Sequence, residues 1–233
     1  MGNETDFLSK IKNSKEAIFT DTKSSNSTII IAFGGMKGNL GIPVFEFFKI
    51  LSPLDTKKMF IRDLDQNLYF GGLPGITDSI DGIGDHLKYK FEELGIKRVV
   101  VLGNSAGANA AVLFGILLNA EKVVAFSPKT FITPLKRILF WDHQWWENHI
   151  RVYFTKGVKS EYWDLKKLLS KSDIKTKFQL HYSLHNRIDS MHCERMSKCP
   201  NVTIKGYEYK GHDLVRHLKE TGELQKIITH ILD

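Results

Sequence analysis

The chain has 233 residues, 42% hydrophobic and 11% aromatic, enough to bury the core of one α/β domain and unlike a disordered or fibrous protein. Its formal charge is +7, from 33 basic and 26 acidic side chains. No five like charges run together, so this surplus reads as a solvated surface and excludes a concentrated nucleic-acid footprint.

No stretch approaches the roughly 18–20 apolar residues of a membrane span. The polar segment Met1 to Lys23 lacks the apolar run of a signal peptide. Met1-Gly2 opens the chain, but Asp6 stands where a myristoylation pattern needs Ser or Thr. The expectation is a soluble, cytoplasmic protein with no nucleic-acid partner and no integral membrane association. The oligomeric state is not legible.

Residues 1–27 read as an N-terminal leader, with a weak helical stretch over Asp6 to Ala17 and then a Ser/Thr/Lys/Asn-rich connector. From residue 28 to 233, short β-branched runs alternate with amphipathic ones. Thr28 to Phe33 is a continuous apolar run, as in a strand buried on both faces. Phe45 to Leu51 reads as a helix and Lys58 to Arg62 as a strand. Ile80 to Leu94 is an amphipathic helix stopped by Gly95. Arg98 to Leu102 is a buried strand and Ala106 to Leu118 a buried helix. Lys122 to Phe126, Lys177 to Tyr182 and Val202 to Tyr209 are further strands, and Leu214 to Leu232 closes the chain as a helix. The expected fold is α/β, with a mostly parallel sheet covered by helices on both faces.

The segment Thr130 to Ser172 breaks this rhythm and holds all four tryptophans. It reads as a largely helical insertion placed to cap the site. Trp141, Trp145 and Trp146, at i, i+4 and i+5, would share one helix face. That face either lines the substrate pocket or packs the insertion's own core.

Gly103-Asn104-Ser105-Ala106-Gly107 follows a buried strand and opens a helix, the context in which G-x-S-x-G forms a sharp turn exposing a serine hydroxyl. The glycines relieve crowding where strand and helix meet. A serine needs a base and an orienting acid. His212 follows the final strand, in Lys210-Gly211-His212-Asp213, and is the expected base. His217 lies inside the helix that follows and reads as structural. Asp189, on the loop after the penultimate strand, is the expected acid. Asn186 cannot carry charge. Asp213 adjoins His212 too closely to reach its ring, and it suits the helix cap. An oxyanion would be met by the Ala106 N–H and by that of Gly35 or Met36, in the loop Gly34-Gly35-Met36-Lys37-Gly38.

Cys193 and Cys199 lie close in sequence. His192 beside Cys193 invites a metal reading, but four ligands at a recognisable spacing are missing, and free thiols are expected.

With Ser105, Asp189 and His212 in that chain order, residues 28–233 resemble the α/β-hydrolase superfamily. The fragments IRDLDQNLYFGGLPG and GNSAGANAAVLFGILLNAEKVVAFSP are similar to small bacterial members of undefined substrate. Phe33-Gly34-Gly35 lacks the His-Gly opening of lipase motifs. The resemblance implies acyl-group chemistry on a small-molecule substrate: an esterase or thioesterase, with an acyltransferase or a non-catalytic binding protein as alternatives. It implies no metal or organic cofactor.

Overall fold

The computed structural model describes residues 16–36, 46–144, 146–155, 158–170 and 173–233. Seven strands form one sheet: β1 (Ile18–Asp21), β2 (Thr28–Phe33), β3 (Lys57–Ile61), β4 (Arg98–Asn104), β5 (Lys122–Phe126), β6 (Lys177–Ser183) and β7 (Val202–Tyr207). Their order is β1-β3-β2-β4-β5-β6-β7, parallel throughout except for β1 against β3. The described helices are α1 (Phe48–Leu51), α2 (Ile80–Glu93), α3 (Ala106–Leu117), α4 (Pro134–Leu139), α5 (Trp146–Phe154), α6 (Leu165–Ser170), α7 (Arg187–Glu194), α8 (Leu214–Glu220) and α9 (Glu223–Thr229).

Alternation along β2 builds the core. Ile29, Ile31 and Phe33 enter one apolar layer, while Ile30 and Ala32 enter the other. A strand with both faces covered has no polar side, which is why its sequence is uniformly apolar. On the first face Phe33 stacks on Phe114 of α3 at 5.1 Å and meets Tyr69 edge-on at 5.3 Å. On the second, Phe126 of β5 packs in one cluster with Leu214, Leu218 and Ile228 of α8 and α9.

Three elements differ from expectation. Ile18–Asp21, inside the segment read as a leader, is an edge strand paired with β3, Ile18 opposite Ile61 and Phe19 opposite Phe60. Its four residues are all half-buried and sit among polar neighbours, so no apolar run announces it. The expected terminal helix is two helices, because Gly222 adopts φ 76° and turns the chain between them. The loop expected to carry Asp189 is instead α7. Asn186 caps that helix, its side-chain oxygen accepting from the N–H groups of Ile188 and Asp189, both at 3.1 Å. The weak helix expected at Asp6 to Ala17 lies almost wholly outside the described residues.

The insertion between β5 and β6 holds α4, α5, a short 3-10 turn at Ser160–Trp163, and α6. Buried charge ties it to the core. Asp142 is fully buried between Lys129 (3.4 Å), Arg137 (3.8 Å) and His192 (3.2 Å). Burial pushes the Asp142 carboxyl up, yet His192, Lys129 and Arg137 together hold it well below the usual carboxylate range. Burial lowers Lys129 to about 8 and His192 to about 4, so His192 is neutral and donates from Nε2 while Nδ1 accepts from the Thr130 N–H at 3.1 Å. Both ring nitrogens of His192 are thus engaged by protein, and Cys193 and Cys199 are free thiols.

Trp141 and Trp146 do not share one helix face. Trp141 has φ 52° and lies in the turn after α4, whereas Trp146 opens α5. In that turn the Asp142 carboxylate accepts from the Gln144 N–H at 3.2 Å, which ends any continuous helix from 141 to 146. Trp146 lies over the Arg137 guanidinium at 5.3 Å. Trp163 is half-buried against Tyr153 at 5.4 Å. Trp145 lies outside the described residues.

Candidate active site

Ser105 follows the last residue of the central strand β4 and directly precedes α3. Its backbone has φ 53° and ψ −113°, a strained conformation for a residue with a side chain. The flanking glycines are required by space. A Cβ on Gly103 would stand 2.1 Å from the Gly107 carbonyl oxygen, and one on Gly107 would stand 2.2 Å from that of Phe33. Both clashes are with backbone, so no rotamer change relieves them.

The structure brings Ser105, His212 and Asp189 into one hydrogen-bonded line. Ser105 Oγ is 2.8 Å from His212 Nε2. His212 Nδ1 is 2.8 Å from Asp189 Oδ1 and 3.1 Å from Oδ2. A carboxylate can only accept there, so Nδ1 carries the proton and Nε2 is left to accept from the serine hydroxyl. The Asp189 carboxyl is buried, while His212 keeps about a quarter of its side chain exposed.

Residues that sequence reasoning did not single out hold this line. Ser183 Oγ donates to the Gly211 carbonyl at 2.7 Å, fixing the loop that carries His212. Asn186, weighed only as a rival acid, caps the helix whose first turn holds Asp189. Asp213 occupies the N-cap position of α8 but makes no side-chain capping bond, so the capping role expected for it is not realised.

Gly35 and Ala106 both adjoin Ser105. The position of a Gly35 Cβ lies 3.6 Å from Ser105 Cβ. Ala106 begins α3, where helix geometry leaves its N–H without an intrahelical acceptor. Met36 follows and packs on the apolar core, while Lys37 and Gly38 lie outside the described residues. The Tyr69 hydroxyl donates to the Gly34 carbonyl at 2.7 Å and so anchors this loop.

A second carboxyl, Glu46, sits against the same loop. The Gly35 N–H points at Glu46 Oε2 at 3.4 Å, and Asn104 Nδ2 at Oε1 at 3.5 Å. Glu46 as a residue is partly exposed, yet its carboxyl is enclosed, and burial pushes it up to about 7. Nothing in the sequence near Glu46 signals this; only the fold brings residue 46 beside residues 35 and 104. A groove of about 350 Å³, lined by Ile96, Arg98, Leu118 and Lys175, lies at the amino end of β4, the opposite end of the sheet from Ser105.

No protein-family model and no curated protein sequence matches the chain. Solved structures do. A glycosylation-associated protein complex from Streptococcus agalactiae is 16% identical with a TM-score of 0.66, over 91% of this chain. The chain spans 44% of that protein's length. The capsule O-acetyltransferase of Neisseria meningitidis serogroup A is 15% identical with a TM-score of 0.66, over 93% of each chain. A monoacylglycerol lipase from Paleococcus ferrophilus is 14% identical with a TM-score of 0.56, over 93% of this chain and 100% of its own. At such identities the likeness is one of fold.

Proposed function

We propose that this chain, which has the α/β-hydrolase fold, is a serine hydrolase that cleaves a carboxylic ester or thioester through an acyl-enzyme on Ser105. The observation that carries the reading is the Ser105–His212–Asp189 line at hydrogen-bond distances, on a strained turn at the carboxyl end of the central strand. In this reading Ser105 Oγ attacks the acyl carbonyl as its proton passes to His212 Nε2. Asp189 holds the imidazole and offsets the charge it gains. The oxyanion is met by the Ala106 N–H and, of the expected pair Gly35 and Met36, by that of Met36, because the Gly35 N–H points at Glu46. The imidazolium then protonates the leaving group. Water attacks the acyl-enzyme by the same route in reverse, and Ser105 is regenerated.

A second reading is acyl transfer, in which an alcohol takes the place of that water. The whole-length fit to the capsule O-acetyltransferase favours keeping it.

One experiment separates the readings. A fluorophosphonate probe labels wild type and not Ser105→Ala if Ser105 is the nucleophile. p-Nitrophenyl esters of rising chain length, with acyl-CoA thioesters alongside, are then assayed with and without added alcohol. Release of free acid supports the hydrolase, and acyl transfer to the alcohol in preference to water supports the second reading. Absence of labelling and turnover would leave a binding protein and sink both.

A further inference from the structure

The cap carries an apolar surface that the chemistry of Ser105 does not use. Among the described residues, eight of the eleven exposed large hydrophobic side chains fall between Leu135 and Phe154. On α4 the exposed residues are Leu135, Ile138 and Leu139, at i, i+3 and i+4, so they share one helix face. On α5 the exposed hydrophobic residues are Trp146, Ile150 and Phe154, at i, i+4 and i+8, again one face, with Glu147 and Arg151 exposed beside them. Exposure reaches 77% at Leu135 and 83% at Phe154. Arg137, buried beneath, donates to the Asp142 and Gln144 carbonyls and lies against the Trp146 ring, so the two stripes belong to one clamped unit. Scattered exposed apolar residues need no explanation, but stripes of this kind on successive helices do.

The charge around these stripes points to one kind of occupant. Residues 130–172 hold eight Lys or Arg against four Asp or Glu. Two of those acids, Asp142 and Asp164, are buried and already met by Lys129, Arg137, Lys136 and Arg195. By sequence the remaining charges of the segment are six basic and two acidic; of the basic ones Lys159 meets Asp81 at 3.1 Å, and Lys156 and Lys171 lie outside the described residues. Arg151 is exposed on α5 between Ile150 and Phe154. Arg187 is exposed beside the turn, donating to the Phe140 and Trp141 carbonyls at 3.0 and 2.9 Å. An apolar face with Trp, Phe and Leu, rimmed by arginine, is the pattern of helices that lie in a bilayer interface. Indole rings partition to the headgroup level, and basic rims are drawn to anionic lipid.

We propose that the exposed face of α4 and α5 docks on an anionic lipid surface. Arg187 lies two residues before Asp189, so docking there would set the lipid beside the Ser105 line.

The test is vesicle co-sedimentation of the full chain, with tryptophan fluorescence read in parallel. Phosphatidylcholine vesicles are compared with phosphatidylcholine–phosphatidylserine vesicles at about 2:1. The expected result is binding to the anionic vesicles, weakened by salt, with a blue shift of the tryptophan emission. Leu139→Glu/Phe154→Glu should cut that binding roughly tenfold or more, because several CH₂ groups at each site would no longer enter the lipid. Ser105→Ala should bind as wild type does, so the outcome is independent of the proposed chemistry. Failure of the wild type to bind anionic vesicles would overturn the proposal. So would equal binding by wild type and the double variant, or wild-type self-association that the double variant abolishes, which would place a second copy on this face.

Discussion

Both oxygens of the Asp189 carboxylate lie within hydrogen-bond distance of His212 Nδ1, at 2.8 and 3.1 Å, across 23 residues of chain. Asp213, next to His212 in sequence, makes no such contact and occupies the start of α8 instead. Asp189→Asn should therefore lower kcat by about 10⁴, because an amide no longer fixes the imidazole tautomer. Asp213→Asn should cost less than tenfold by the same logic, since it leaves that tautomer alone. Steady-state kinetics on one ester decide the ranking, and the reverse order would move the acid to Asp213. Asn186→Ala removes the cap of α7 and should cost about 1 kcal/mol of stability.

Gly107→Ala should be severely destabilising, by about 3 kcal/mol or more, because its Cβ would stand 2.2 Å from one backbone carbonyl and 2.6 Å from a second. Gly84→Ala is the matched control. It lies within α2, with nothing inside 4 Å of the added Cβ, and should gain about 0.5–1 kcal/mol. Urea denaturation of both variants checks the pair. A Gly107→Ala variant as stable as wild type would mean that strand and helix do not cross this closely.

Glu46 makes a pH prediction of definite sign. Its carboxyl holds a proton up to about pH 7 in the folded chain, against an ordinary value of 4.5. Between those values the folded state binds more protons than the unfolded, so this contribution to stability is complete below pH 4.5 and is lost as pH rises through 7. Asp213 and Tyr69 are its charged or titratable neighbours, with the Asn104 amide in contact. Glu46→Gln should remove the slope: its Tm relative to wild type rises from pH 5 to pH 8. A difference in Tm that stays flat across this range would show that Glu46 is ionised throughout.

How much of this was legible depended on burial. The strands covered on both faces carry unbroken β-branched runs, so β2, β4 and β5 could be read directly. β1 could not: Ile18-Phe19-Thr20-Asp21 is an edge strand, half-buried at every position, and its partner is set by the fold. Ser105 was readable because steric need leaves a local trace, glycine on both sides of it. His212 and Asp189 were readable from their places after successive strands. Glu46 and the Asn186 cap were not, since the first acts across residues far apart in sequence, and the second needed α7 to be recognised as a helix.

Trp146 offers the last test, because its ring has a structural partner. It opens α5 and lies 5.3 Å from the guanidinium of Arg137, which is fully buried and also donates to the Asp142 and Gln144 carbonyls. Removing the ring strips one face from a buried cation, and a desolvated contact of this kind is worth about 1–2 kcal/mol. Trp146→Ala should therefore lower Tm, and Trp146→Phe should recover part of the loss by restoring an aromatic face. If the ring only seals Arg137, kcat/KM falls by the same factor for acetyl and long-chain esters. If it also meets the acyl chain, the loss grows with chain length by roughly 10- to 100-fold, since each buried methylene contributes about 1 kcal/mol. The contact with Arg137 favours the first outcome, a uniform loss together with a lower Tm. A chain-length-dependent loss at unchanged Tm would assign Trp146 to the acyl pocket instead.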